Sequence, residues 1–245
     1  MDPRNPGHFF ACAGLLELAG LGEAEDRVGR FVVDDGRPRE ARFELEADEG
    51  ELRGRLRALR ESEPEFEEHE NATVRPARLR LAGYGELGLD WWLDEFCEKA
   101  VSLKCWAGQV TTGNLFGELL PLVDAEANWG DLFYRPSLTK AKFGVDPRSA
   151  WNALDLGFSP NEHGRDAATF AAVEALAAIG LQTFRPDVRS RRGVGYSLWL
   201  TGLSATLARA AFREPWDGLR ARRYAFEIDK RGQSYKYFTF ARVEN

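Results

Sequence analysis

The distribution of apolar residues predicts two strongly hydrophobic helices. Residues 8–20 are apolar on every side, and Asn5 followed by Pro6 supplies a helix N-cap and a favoured first helical residue. Residues 165–181 are similarly apolar and end near Gly180. Helices that lack a polar face belong in a protein core, so we expect both to be buried.

Two more helices are predicted from one-sided apolar patterns. Residues 49–60 and 112–122 place apolar side chains at three- and four-residue spacing, which gives each helix one buried face. Between them, residues 61–71 hold six acidic side chains and Pro64, which predicts an acidic loop. A further loop is expected at residues 155–163.

Alternating apolar and polar residues predict several strands. They lie at residues 30–34, 41–46, 77–81, 88–93, 138–145 and 195–201, with a terminal hairpin formed by 222–229 and 234–243. Strands outnumber helices, and short turns connect most of them. The expected fold class is therefore α+β, with antiparallel sheets and packed helices in a single domain over residues 1–245.

Charge divides the chain into two unlike parts. The net charge is −6, but residues 1–100 carry 14 basic against 24 acidic side chains, a net of −10. Residues 139–236 carry 16 basic against 10 acidic side chains, a net of +6. We expect an acidic half that faces a basic partner subunit and a basic half that faces a polyanion.

Composition also excludes several classes of protein. No apolar run approaches the roughly 20 residues that cross a bilayer, and no signal peptide is evident, so we expect a cytoplasmic protein without a membrane partner. Cys12, Cys97 and Cys105 show no C-x-x-C spacing, and the three histidines are far apart. Neither a metal site nor a cofactor is expected.

The sequence shows no recognisable catalytic motif. There is no G-x-S-x-G, no phosphate-binding P-loop and no H-E-x-x-H. His8 is the side chain that could act as a general base in RNA cleavage. Its place at the start of an apolar helix favours a packing or capping role, so no catalytic residue is assigned.

Binding chemistry is better represented. Residues 102–109 read S-L-K-C-W-A-G-Q, in which Lys104, Trp106 and Gln109 combine a cation, an aromatic ring and an amide in one predicted nucleic-acid contact. Lys140 and Lys142 would share one face of the strand 138–145. The predicted phosphate contacts are Lys140, Lys142, Arg185, Arg189, Arg191 and Arg192. Further basic residues, Lys230 among them, lie in the terminal hairpin.

Four sequence blocks occur in an order that resembles a known family. They are N-P-G-H-F-F-A-C-A-G-L-L-E-L at 5–18, S-L-K-C-W-A-G-Q at 102–109, L-G-F-S-P-N at 156–161 and I-G-L-Q-T-F-R-P at 179–186. Together they resemble a subunit family of the type I-U (I-G) CRISPR–Cas effector complexes, in islands up to about residue 190. The family pattern has Gln where His8 stands and Thr where Cys105 stands, which weakens a catalytic role for His8 further.

The resemblance implies a non-catalytic, nucleic-acid-contacting subunit of an RNA-guided interference complex in antiviral defence. It is placed either as a reduced large subunit or as a relative of repeat-associated RNA-binding proteins with a ferredoxin-like (RRM-like) core. Its partners would be other effector subunits and guide RNA, target DNA or both. Two alternatives stay open: a metal-independent endoribonuclease that processes guide RNA, and a scaffold that contacts protein alone.

Overall fold

The fold is α+β, as the sequence predicts. The computed structural model describes residues 1–23, 27–34, 36–37, 39–150, 168–188, 192–231 and 235–244. Five α-helices lie in this described part: α1 (Pro6–Gly20), α2 (Glu49–Glu61), α3 (Thr112–Leu119), α4 (Ala171–Thr183) and α5 (Ala205–Arg213). None of them is long and apolar enough to cross a bilayer.

The strands are short and form several small sheets. They are β1 (Val28–Val33), β2 (Ala41–Leu45), β3 (Glu65–Phe66), β4 (Ala77–Leu81), β5 (Gly85–Leu89), β6 (Ser137–Leu138), β7 (Ala168–Thr169), β8 (Val194–Trp199), β9 (Leu203–Ser204), β10 (Ala221–Phe226), β11 (Ile228–Arg231), β12 (Tyr235–Phe238) and β13 (Arg242–Val243).

All strand pairs among the described residues are antiparallel. In the part of the chain that the structure describes, three sheets have three strands, in the orders β2-β1-β9, β3-β4-β5 and β13-β10-β8, and β6-β7 and β11-β12 form two-stranded sheets. A ferredoxin-like core is built on one four-stranded sheet, which none of these is. That finer expectation therefore finds no support in the described part of the chain.

Helices α1 and α4 form the centre of the molecule. Asn5 caps α1 by accepting a hydrogen bond from the His8 backbone N–H at 3.3 Å, and nearly every side chain of α1 is buried. The two helices cross at glycines: a Cβ added to Gly14 would lie 2.0 Å from the Leu176 carbonyl oxygen, and one added to Gly180 would lie 2.0 Å from that of Phe10. The close packing of two apolar helices explains why neither has a polar face.

Two clusters of aromatic rings flank this helix pair. In the first, Phe9 stacks on Tyr196 with a centroid distance of 4.6 Å and also packs against Phe31 and Phe212. In the second, the ring centroid of Trp92 lies 5.4 Å from that of Trp91. Trp92 also packs against Trp106, Phe116 and Phe143.

Some predicted elements differ in the structure, and one lies outside its described part. The strand expected at 138–145 is wrong, because only Ser137–Leu138 is paired and the chain beyond it is irregular. The acidic stretch 61–71 is not wholly a loop, since β3 lies within it and pairs with β4. The loop predicted at 155–163 lies outside the described residues.

Candidate nucleic-acid interface

Trp106 is fixed inside the second aromatic cluster. Its ring is 2% exposed, and its Nε1–H donates to the Thr73 carbonyl at 2.9 Å. A ring enclosed in this way has no free face on which a base could stack. Base stacking on Trp106 does not fit this burial, and the residue anchors the segment 102–109 to the core.

Lys104 lies over this buried ring, at the edge of the solvent. Its Nζ is 4.9 Å from the centroid of the Trp106 ring and donates to the Trp106 carbonyl at 2.8 Å. These contacts fold the segment 102–109 into a turn. Lys104 is half-buried, so it can still present N–H groups outward.

The hairpin β11-β12 brings two more lysines to the same place. Lys230 and Lys236 are directly opposite each other in its antiparallel register, so their side chains share one face. The backbone N–H of Lys236 points away from β11 and donates to the Cys105 carbonyl at 3.0 Å. The two lysines thus form a non-hydrogen-bonded pair, the arrangement in which cross-strand side chains are closest.

Lys236 joins the hairpin to the segment 102–109. Its Nζ donates to the Ser102 carbonyl at 3.0 Å. Burial lowers the pKa of Lys104, and the positive charge of Lys236 lowers it further. Lys104, Lys236 and Lys230, which we call the lysine row, therefore concentrate positive charge from two distant parts of the sequence.

A turn at residues 144–146 lies beside the lysine row, and a buried carboxylate fixes its backbone. Its backbone N–H groups at Gly144, Val145 and Asp146 all point to the carboxylate of Glu174 on α4, at 3.0 to 3.5 Å. Complete burial, and next the charge of Asp146, raise the pKa of Glu174 to about 7. The Gly144 carbonyl in turn accepts from the Phe238 N–H at 3.0 Å, so helix α4 positions β12 through this turn.

Lys142 belongs to the opposite face of β12. Its Nζ lies 5.2 Å from the Tyr235 ring and donates to the Ser149 carbonyl at 2.5 Å. Tyr235 and Lys236 are neighbours in a strand and point to opposite faces. Lys142 is therefore separated from the lysine row. The prediction that Lys140 and Lys142 share a strand face is wrong, because residues 140–142 are not in a strand.

The remaining predicted contacts are dispersed. Lys140, Gln109 and Arg192 are exposed, while Arg185 is half-buried and donates to the Leu93 carbonyl. Arg189 and Arg191 lie outside the described residues. Lys236 was not predicted from the sequence, because the register of the hairpin was not predicted correctly. The turn was expected at 230–233, whereas Lys230 and Arg231 belong to β11, which places Lys230 opposite Lys236.

His8 is enclosed beside the α1 N-terminus. Its side chain has no exposed surface, its Nδ1 accepts the Asp2 backbone N–H at 3.0 Å, and its ring packs against Phe133 and Tyr134. Burial, with the Arg148 charge next in size, lowers the pKa of His8 to about 3. A base without access to solvent cannot reach an RNA hydroxyl, so the packing role fits this environment.

The described residues contain no cluster of three histidine, cysteine or acidic side chains that could hold a metal ion. Cys12 and Cys105 are buried free thiols, and Cys97 is exposed.

Comparisons of the chain with protein-family models, with curated proteins and with solved structures find no match.

Proposed function

We propose that this chain is a non-catalytic subunit of a type I-U (I-G) CRISPR RNA-guided interference complex that holds a nucleic-acid backbone on the lysine row. The assignment to this complex rests on the resemblance of four ordered sequence blocks. The observation that carries the binding role is the direct opposition of Lys230 and Lys236, next to Lys104. A cytoplasmic location and contacts with the other effector subunits belong to the same proposal.

Like charges opposite each other in a sheet destabilise the free protein. A phosphate group between these ammonium groups removes that repulsion and forms charge-assisted hydrogen bonds in its place. Lysine ammonium groups act as point charges and do not read bases. The lysine row therefore suits a backbone contact whose strength is independent of sequence, as a complex in which the guide reads the sequence requires.

The endoribonuclease alternative is less well supported by the geometry. The general base considered for it, His8, is fully buried and its pKa is lowered to about 3.

Crosslinking of the assembled complex to its RNA and DNA distinguishes nucleic-acid binding from the scaffold alternative. We expect adducts on residues 102–109 and 230–236. The absence of any adduct between residues 100 and 240 would favour a scaffold that contacts protein alone.

Salt dependence measures the contact directly. We expect Lys236→Gln to weaken binding of fluorescein-labelled single-stranded RNA by roughly the same factor for two unrelated 20-nucleotide sequences. The slope of log affinity against log salt should fall by about 0.7 to 1 unit, because one counterion-releasing contact is lost. Lys230→Gln should have the same effect, and it alters an exposed side chain.

Lys99→Gln is the matched control. It removes one positive charge from an exposed lysine that already interacts with the carboxylate of Asp94, so neither affinity nor slope should change as much. Far-ultraviolet circular dichroism confirms that each variant is folded. Equal salt slopes for wild type, Lys230→Gln and Lys236→Gln would remove the lysine row from the binding site.

A further inference from the structure

Strand β2, in the acidic half of the chain, borders a cavity. A cavity of about 540 Å³ opens between the outer edge of β2 and the loop 129–134. Most of its wall is apolar, with Cys12 and Leu15 from α1, Leu52 from α2, and Leu132 and Phe133 from the loop. This volume falls within the range of about 300–1,000 Å³ that is usual for ligand-binding pockets.

The edge of β2 that borders this cavity has unused backbone groups. β2 pairs with β1 on one side, and on the other Met1 and Ala41 exchange two hydrogen bonds of 2.7 and 2.9 Å. Because backbone groups alternate in direction along a strand, those of Phe43 and Leu45 also point outward. Within the described residues, no hydrogen bond from another segment reaches them.

Two exposed aromatic side chains stand at the mouth of the cavity. Trp129 is 37% exposed and Tyr134 is 48% exposed. Trp129 is held in place, because the Arg53 guanidinium lies 4.7 Å from its ring centroid and its Nε1–H donates to Glu49 at 3.2 Å. A preorganised aromatic ring beside an apolar pocket is typical of the residues that contribute most to a protein interface.

The charge around the cavity selects among partners. Exposed Glu46, Asp48 and Glu49 follow directly after β2, and residues 1–100 carry a net charge of −10. A partner that enters along β2 meets this acidic group at the end where the strand leads into α2. At the other end lie the Met1 ammonium group and Arg42, which pairs with Glu44 at 3.8 Å. Basic residues that follow the partner's apolar residues at the acidic end would therefore be attracted, whereas acidic ones would be repelled there.

From these observations we propose that the outer edge of β2 binds an extended, lysine- or arginine-flanked apolar segment of a partner protein as an added strand. The partner's backbone pairs with Phe43 and Leu45, its alternate apolar side chains enter the cavity, and its basic flank meets Glu46 and Asp48. This mode of recognition takes affinity from the backbone and specificity from the pocket. The site does not depend on the lysine row.

Binding of a synthetic probe tests the proposal. The probe is a fluorescein-labelled nonapeptide, Lys-Lys-Val-Leu-Val-Leu-Val-Lys-Lys, measured against the full chain by fluorescence anisotropy. We expect saturable binding that weakens at least tenfold when the flanking lysines are replaced by glutamates. It should weaken equally when alternate backbone amides of the peptide are N-methylated, because those amides donate the ladder hydrogen bonds.

Two proline variants locate the site. Leu45→Pro removes an outward N–H from the β2 edge and should weaken binding at least tenfold. Val243→Pro makes the same change in β13, an edge strand of another sheet, and should leave binding unchanged. If Leu45→Pro does not fold, the N-methylated peptide still tests the ladder. Equal binding of the lysine and glutamate peptides, or of the plain and N-methylated ones, would overturn the proposal.

Discussion

His8 is an ionisable side chain that the folded chain keeps uncharged. Its pKa is lowered from 6.5 to about 3, so between these values the unfolded chain binds a proton that the folded one does not. The stability that comes from a neutral His8 is thus fully present above pH 6.5 and is lost as the pH falls. Between pH 7 and pH 5 this amounts to about 2 kcal/mol.

His8→Gln should abolish that loss, because the Gln carbonyl can accept the Asp2 N–H and has no proton to gain. We expect urea denaturation to show wild type losing about 2 kcal/mol more than the variant between pH 7 and pH 5. The raised pKa of Glu174 acts with the opposite sign but is common to both proteins, so the comparison removes it. Parallel pH profiles would mean that His8 is not kept neutral.

Single residues also show where sequence reasoning stops. The segment 102–109 is predicted to carry a contact, and Lys104 does reach the surface there. The burial of Trp106 cannot be predicted from the sequence, because a ring in a turn is buried or exposed according to which distant residues pack on it. Here Trp91, Trp92 and Phe143 cover it. Lys236 could not be assigned from sequence for the same reason, since Ser102, whose carbonyl accepts from its ammonium group, is 134 residues away.

The crossing of α1 and α4 depends on glycine at the point of contact. An added methyl group at Gly14 would overlap the Leu176 carbonyl oxygen, so the helices would have to separate. We expect Gly14→Ala to lower the free energy of unfolding by about 2 kcal/mol, since an overpacking cost of about 3 kcal/mol outweighs the gain of about 1 kcal/mol in helix propensity. Chemical denaturation measures the change.

Gly117→Ala is the control for that prediction. Gly117 lies on the exposed side of α3, and no atom comes within 4 Å of an added Cβ. The propensity gain alone should act there and raise stability by up to about 1 kcal/mol. A neutral or stabilising Gly14→Ala would show that the helices do not approach as closely as their glycines allow.

Elements with strong periodicity were predictable, and elements fixed by distant partners were not. Helices α1 and α2 and the pair β1-β2 are confirmed within a few residues of their expected ends. Residues 138–145 alternate like a strand, but Gly144 has a positive φ of 86° and Glu174 binds the backbone that a strand would need for pairing. A buried carboxylate from another helix decides this segment, and no local pattern contains it.

The two oppositely charged halves share one core. Strand β9 completes the sheet of β1, the Trp199 Nε1–H donates to the Gly29 carbonyl at 2.8 Å, and the Tyr196 hydroxyl donates to the Pro3 carbonyl at 2.7 Å. Helices α1 and α4 likewise come from different halves. The charges are thus separated along the sequence, but apolar residues from both halves pack into one core. This arrangement favours a single domain.

A single core should unfold in one step. We expect urea denaturation followed by tryptophan fluorescence and by far-ultraviolet circular dichroism to give one transition with the same midpoint. Trp199→Phe provides the control: it removes the tryptophan that packs against Phe9 and Phe31 in the first aromatic cluster. Three of the six tryptophans that remain, Trp91, Trp92 and Trp106, lie in the second cluster. Its fluorescence and dichroism midpoints should again coincide, since both clusters rest on the same pair of helices. Two separate midpoints in either protein would mean that the chain does not unfold from a single cooperative core.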